Sequence, residues 1–231
     1  MENKLSGFLL IDKPVGLSSF GVVYKVRRIL KDLTGQKYKV GHSGTLDPAA
    51  TGLLILAVGK STKSLNALLK KDKTYVVSMR LGFASTTDDQ EGQITKISNL
   101  VPTNSEVANT INKFVGQIMQ TPPAFSAIKV NGRRAYHLAR KGEPVKLEPR
   151  PVYIYEISNS KYEYPNISFS CRVGSGTYVR SLVKDIGQDL QTGAYMTALR
   201  RTSIDVFSVT NAHQIDELTL SNIESRLITI E

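Results

Sequence analysis

One acid stands in a loop punctuated by glycine, with a histidine a few residues before it: Gly41-His42-Ser43-Gly44-Thr45-Leu46-Asp47-Pro48-Ala49-Ala50-Thr51-Gly52. A carboxylate held in such a loop can act as a nucleophile, as a general base or as the counter-charge of a cation. Glycine allows close approach of the backbone to a ligand, and the apolar run Leu53-Leu54-Ile55-Leu56-Ala57-Val58 reads as a buried strand that anchors the loop. Asp-Pro also initiates turns, and an Asp side chain commonly bonds the main chain two residues on. The residue types alone leave both readings of Asp47 open.

Three further places carry candidate chemistry, each with a plainer alternative. Arg180 falls two or three residues into a helix that follows Gly176, where the helix dipole disfavours a cation; it either snorkels to solvent or faces a carboxylate or phosphate. Tyr75 opens an alternating strand, as a core aromatic or as a platform on which a base stacks. Between residues 121 and 150, Phe125, Lys129, Arg133, Arg134, Tyr136, His137, Arg140 and Lys141 interleave aromatic and basic character. That pattern suits tracking of an RNA backbone, or an ordinary solvated basic loop. Metal catalysis is set aside because His42, His137 and His213 are far apart and no Cys/His pair has ligand spacing. Gly174-x-Gly176 has Val179 where a dinucleotide fingerprint needs its third glycine, and no phosphate-binding loop of the Gly-x-x-x-x-Gly-Lys-Ser/Thr type occurs, so no nucleotide cofactor is expected.

These residues need a scaffold, and the pattern supplies one. Phe8 to Ile11 reads as a strand ending in the turn Asp12-Lys13-Pro14-Val15-Gly16. Ser18 or Ser19 then caps a helix with Val22, Val23, Val26, Ile29, Leu30 and Leu33 at helical spacing and Lys25, Arg28 and Lys31 on the other face. A short helix starts at Ser61 or Thr62 and runs through Leu65, Leu68 and Leu69; Tyr75, Val77, Met79 and Leu81 alternate as a strand. Val107, Ile111, Phe114 and Val115 mark a helix, and Pro122-Pro123 enforces a break. Residues 125–150 then read as a hairpin around Val130-Asn131-Gly132, a short basic helix through Tyr136 and Leu138, and a strand-like return. Ile167, Phe169, Cys171 and Val173 alternate as a strand, before a helix burying Val179, Leu182, Val183, Ile186 and Leu190. Hairpins mixed with helical crossovers predict an α+β domain on a mixed sheet.

With 231 residues and 41% apolar content the chain supports a substantial core, read as a single domain over 1–231 with an insertion at about 121–150. A net charge of +10 points to a polyanionic partner, nucleic acid first. The charge is uneven: residues 121–150 hold seven Lys/Arg against two Glu, whereas residues 211–231 hold four acids against one Arg, so the basic footprint is not a tail. A lone cysteine, Cys171, on the apolar side of a strand fits a buried thiol in a reducing compartment. With no secretory or membrane-spanning segment, a cytoplasmic location is expected.

Taken in order, Asp12 to Ser18, Gly41 to Leu54, Lys73-Thr74-Tyr75, Thr121 to Lys129, Gly132 to Gly142, Gly176 to Leu182 and Leu199-Arg200-Arg201 resemble bacterial tRNA pseudouridine synthase B, the family that isomerises uridine-55 in the T loop of tRNA. The resemblance covers most of the first 205 residues. It implies the pseudouridine synthase fold, a mixed and mostly antiparallel sheet flanked by helices, with the basic insertion closing on RNA. It also implies Asp47 as nucleophile, Arg180 as its ion-pair partner, Tyr75 as the ring against the target base, His42 beside the flipped nucleotide, and Tyr178 and Leu199 lining the uracil pocket. Lys129, Arg133, Arg134, Arg140 and Lys141 become contacts to the RNA backbone. No cofactor or metal is expected, because the reaction neither oxidises nor imports a group, and a monomer is expected. The chain ends too soon for the small C-terminal RNA-binding domain usual in the family, so recognition is expected to rest on the T arm. Two alternatives stay open: an RNA chaperone for tRNA folding with a vestigial site, and a uridine isomerase acting on another RNA.

Overall fold

The computed structural model describes residues 5–130 and 132–229. They group into two compact units, one formed by the chain up to Tyr75 together with the chain from Leu199 onward, the other by Val76–Ala198. Each has its own reasons to fold.

The first unit begins with β1 (Gly7–Lys13), then α1 (Ser19–Thr34), β2 (Val40–His42) and β3 (Thr51–Val58). β1 and β3 pair antiparallel from Gly7 opposite Val58 to Lys13 opposite Gly52, and β2 pairs with the far end of β3. Side chains alternate across this sheet and both faces are covered, which is why β3 is apolar without interruption. On one face Leu9, Ile11, Leu54 and Leu56 pack against Val22, Val23, Val26 and Leu30 of α1. On the other, Phe8, Leu10, Leu53, Ile55 and Ala57 pack with Leu68 and Ile204. The helix is capped as expected: Ser18 Oγ accepts from Gly21 N at 3.0 Å, and Gly35 closes the C-terminus in the left-handed conformation. Leu33 departs from its expected place and is exposed, lying in the last turn of the helix. After a 3₁₀ turn (Gly59–Ser64) and α2 (Leu65–Leu69), the chain enters β4 (Lys73–Leu81), which starts two residues before Tyr75.

β4 carries the chain into the second unit, with β5 (Phe83–Ser85), β6 (Ile94–Lys96), α3 (Asn104–Lys113) and β7 (Gly116–Gln120). A reciprocal capping box between Thr103 and Glu106 starts α3. The helix stops earlier than the apolar spacing suggests, with Phe114 as its C-cap and Val115 exposed beyond it. The hairpin of β8 (Lys129–Val130) and β9 (Arg133–Arg134) forms as expected, although its turn residue Asn131 lies outside the described residues. α4 (Ala135–Arg140) follows, and the strand-like return does not form: residues 141–149 carry no regular strand, and pairing resumes only at Arg150. From there β10 (Arg150–Glu163) pairs antiparallel with both β7 and β11 (Asn166–Val173). β4 and β11 keep the predicted alternation, burying Val77, Met79 and Leu81 in one and Ile167, Phe169, Cys171 and Val173 in the other. Burial pushes the Cys171 thiol up to about 12. α5 (Val179–Asp189) buries Val179, Leu182, Val183 and Ile186.

β12 (Ala194–Ile204) returns the chain to the first unit, where β13 (Phe207–Ser208) pairs with it and β14 (His213–Gln214) joins β1 in parallel. Strand order in the first unit is β14-β1-β3-β12, and in the second β12-β4-β11-β10-β7. The sheet is mixed and mostly antiparallel, with helices against it. The acidic last segment is used structurally: Asp216 pairs with Lys25 and Glu217 with Arg226. Among the described residues no helix is long and apolar enough to cross a membrane.

Candidate active site

In the first unit the Asp47 loop is fastened at several points. Asp47 O accepts from Ala50 N at 3.0 Å, so the main chain closes the turn with Pro48 at its second position. The neighbours of Asp47 are pinned on both sides. Ser19 Oγ, at the start of α1, donates to Leu46 O at 2.9 Å and accepts from Leu46 N at 2.8 Å. Pro48 O accepts from Gly16 N at 2.8 Å and from Lys13 Nζ at 3.4 Å. The Lys13 ammonium also donates to Pro14 O at 2.8 Å and Leu17 O at 2.7 Å, which ties the Asp12-to-Ser18 turn to the loop.

Cations converge there. Arg201, 1% exposed, donates from Nε to Leu53 O at 2.7 Å and from Nη2 to Gly44 O at 3.1 Å. Its backbone presses on Gly52, which has φ +101°: a Cβ on Gly52 would lie 2.2 Å from Arg201 O. Lys73 Nζ donates to Leu69 O at 3.1 Å and Lys71 O at 2.6 Å. Burial lowers both Lys13 and Lys73 to about 8; the negative charge of Asp47 opposes the shift at Lys13, and Arg201 reinforces it at both. His42 Nδ1 accepts from Gly44 N at 3.3 Å, and burial and then Arg201 push its pKa down, so the ring is neutral at pH 7. Positive charge gathered around one loop favours an anion, whether a carboxylate or an incoming phosphate.

Tyr75 is 8% exposed on the inward side of β4, and Leu199 is half-buried on β12. The predicted residues of this unit thus comprise a loop acid, a histidine at the end of β2 where the same loop begins, a buried ring and a half-buried leucine. The buried cations Lys13, Lys73 and Arg201 were given no role by residue type. Lys13 and Lys73 carry one signal in the sequence, a basic residue at the end or the start of an apolar strand, whereas Arg201 stands inside β12 and carries none.

In the second unit, Arg180 is the second residue of α5 and is 8% exposed, which rules out the snorkelling alternative. It meets Asp89 at 3.4 Å, and it donates to Thr87 O at 3.1 Å and Phe125 O at 2.9 Å. Asp89, itself buried, accepts from Thr87 Oγ1 and from Glu91 N. An acid near the start of the helix offsets the penalty of placing a cation there. Tyr178 is the N-cap position of α5 and is clasped by Gln120: its N–H donates to Gln120 Oε1 at 2.8 Å and its carbonyl accepts from Gln120 Nε2 at 3.1 Å. The Arg150 guanidinium lies 5.4 Å from the Tyr178 ring centre. Asp89 and Gln120 were not predicted.

The basic insertion is largely exposed, including Lys129, Arg133, Arg134, Arg140 and Lys141. Two of these already have partners: Arg133 forms a fork with Glu143 at 3.0 and 3.1 Å, and Arg134 donates to Ala127 O at 3.0 Å. Arg140 lies 5.6 Å from the Tyr136 ring centre. Among the described residues no group of three His, Cys, Asp or Glu is arranged to hold a metal ion.

Comparison with known proteins places this architecture. Residues 27–179 match the model of the TruB family pseudouridylate synthase N-terminal domain, and residues 180–227 that of the tRNA pseudouridylate synthase B C-terminal domain. The chain is 40% identical over 227 residues to tRNA pseudouridine synthase B of Clostridium novyi (strain NT), covering 98% of this chain and 77% of that protein. It is 41% identical over 223 residues to the protein of the same name from Corynebacterium diphtheriae (strain ATCC 700971 / NCTC 13129 / Biotype gravis), covering 92% and 72%. Among solved structures, a Cbf5-Nop10-Gar1 complex matches with TM-score 0.68 and 30% identity, over 92% of this chain and 53% of that one. An H/ACA RNP bound to a substrate RNA containing 2'-deoxyuridine matches with TM-score 0.66 and 29% identity, over 92% and 52%. This chain spans about half the length of those two solved chains. With the family model covering more than half of the sequence and curated relatives aligned almost end to end with it, the chain belongs to the TruB family of pseudouridylate synthases.

Proposed function

We propose that this chain converts uridine-55 in the T loop of tRNA to pseudouridine, with Asp47 as the nucleophile. The observation that carries the reading is the 40% identity, across 98% of the chain, with a protein named tRNA pseudouridine synthase B. The Asp47 loop supports it chemically. In this isomerisation the bond from uracil N1 to ribose C1′ breaks, the base turns, and C5 bonds to C1′; N1 takes up a proton and C5 loses one. Electrons balance without an oxidant, so one fixed carboxylate suffices and no cofactor is required. A glycosidase needs two carboxylates because it must deliver water; here water must be kept out.

The target base is extruded from its loop before reaction. Neutral His42 occupies space beside it, Tyr75 stacks against it, and Tyr178 and Leu199 line the uracil pocket. Arg180 serves as the ion-pair partner of Asp47, held in readiness by Asp89. Lys129, Arg133, Arg134, Arg140 and Lys141 contact the backbone of the T arm. The protein works as a cytoplasmic monomer, a single catalytic domain with the insertion at about 121–150.

The test is release of tritium from tRNA labelled at uridine C5, followed by chemical mapping of the modified position, with no metal or nucleotide added. Asp47→Asn keeps the shape of the side chain and removes the nucleophile, so release falls by at least 1,000-fold, about 4 kcal/mol, while tRNA affinity stays within a few-fold. Turnover near the native rate in that variant removes Asp47 from the mechanism.

A further inference from the structure

A lysine-lined cavity in the first unit lies at the opposite end of β3 from the Asp47 loop and has no part in the chemistry above. It measures about 250 Å³ and is bordered by Leu5, Tyr38, Lys37, Lys39, Lys60 and Lys63. Its walls are fixed. Gly59 N donates to Lys39 O at 2.8 Å, which joins the segment before β2 to the 3₁₀ turn, and Leu5 N donates to the Tyr38 hydroxyl at 3.4 Å. Gly59 has φ +62° and would place a Cβ 2.4 Å from Leu5 O, so the three segments meet where only glycine fits.

The lysines form two pairs. Lys37 and Lys39 are exposed on either side of half-buried Tyr38. Lys60 and Lys63 stand three apart on the 3₁₀ turn, whose three-residue period stacks them on one side. None of the four is paired with a carboxylate among the described residues. The cavity is smaller than the usual range for small-molecule pockets, and ammonium groups on flexible stems suit phosphate oxygens as point charges. β3 has eight residues, which at strand rise puts the cavity roughly 25 Å from the Asp47 loop. That is several screening lengths at physiological salt, so the cations of the loop and these lysines act on different parts of any bound polyanion.

We propose that this cavity is a second RNA-binding site, which takes backbone phosphates of the substrate RNA outside the arm presented to Asp47. The inference rests on the RNA substrate proposed above and adds a footprint remote from the reacting base. It supplies affinity and leaves the chemical step unchanged.

The test replaces Lys37, Lys39, Lys60 and Lys63 with Gln in the full chain and follows binding of labelled tRNA against salt concentration, beside a T-arm stem-loop. For full-length tRNA the slope of log affinity against log salt becomes shallower by about two to four, at roughly 0.7–0.9 for each phosphate no longer neutralised. Stem-loop affinity and tritium release from the stem-loop do not change. Replacement of the same four residues with Arg restores the slope and separates charge from folding. An unchanged slope on full-length tRNA overturns the proposal. So does equal flattening on the stem-loop, which would put the lysines on the T arm. Saturable binding of inorganic phosphate that the Gln variant loses, with the tRNA slope intact, also overturns it and leaves a small-anion site. Failure of the proposed activity would show instead as absence of pseudouridine, a result independent of the binding slope.

Discussion

The Asp47 loop and the 121–150 insertion are both rich in polar contacts, yet they are built in opposite ways. The loop is fastened by groups that are themselves buried: Lys13 is fully buried, Arg201 is 1% exposed and Ser19 is 2% exposed. The insertion buries Ser126, Ala135 and Leu138, is held at its root by Gln120 and Arg180, and makes its outer contacts at the surface, through Arg133 with Glu143 and Arg134 with Ala127. Buried bonds cannot be exchanged for water without cost, whereas exposed ones can. A carboxylate that must meet a ribose carbon needs the first kind of support. A surface that must fit an RNA backbone gains from the second.

The contrast breaks most sharply at Arg201. Arg201→Met keeps much of the side-chain volume but leaves Leu53 O and Gly44 O without their donor, and both accept from a guanidinium that is almost wholly buried. The expected loss is about 3 kcal/mol of stability, a drop in Tm of about 6–12 °C, with turnover falling along with it. Thermal unfolding of the variant measures it, and an unchanged Tm would mean that the loop holds itself.

A smaller effect is expected in the insertion. Replacing Arg133, Arg134, Arg140 and Lys141 together with Gln leaves Tm within about 4 °C, since a surface pair such as Arg133 with Glu143 contributes at most about 1 kcal/mol. Affinity for tRNA weakens by about tenfold, and its salt dependence flattens. Binding titrations at several salt concentrations check this; a Tm loss as large as that of Arg201→Met would erase the distinction between the two regions.

The finest test is pH. Lys13 falls from 10.5 in the unfolded chain to about 8 when folded, and Lys73 does the same. Between those values the unfolded chain holds more protons than the native one, so stability rises with pH through that window; below about 8 both states are protonated and the contribution is a constant penalty. Urea unfolding between pH 7.5 and 10 should therefore show the native chain gaining on Lys13→Met as pH increases, by up to about 1 M in midpoint. A flat difference would mean that the Lys13 ammonium is as well solvated as in water.

The elements were legible wherever period and cap agreed. Ser18 and the apolar spacing from Val22 to Leu30 suffice for α1, and strict alternation suffices for β4 and β11. The stretch from Lys141 to Glu148 resembles a strand through its scattered apolar residues, but it joins no ladder in the structure. At the site, Asp47 and His42 announced themselves through the glycine-punctuated loop. Arg201 did not, because a buried cation and a surface cation are the same letter, and its partners lie about 150 residues away in sequence. Asp89 was hidden likewise: Thr86-Thr87-Asp88-Asp89 reads as a polar turn, and only the fold brings it to Arg180.

Cys171 has a practical consequence. Its thiol is wholly buried, and it stays protonated across the range in which maleimides are used. The chain therefore offers a silent background for site-specific dyes: a cysteine introduced at exposed Lys141 would be the one thiol to react, without first mutating Cys171. A fluorophore there, paired with one on the T arm of the RNA, would report the approach of the insertion to its substrate in real time.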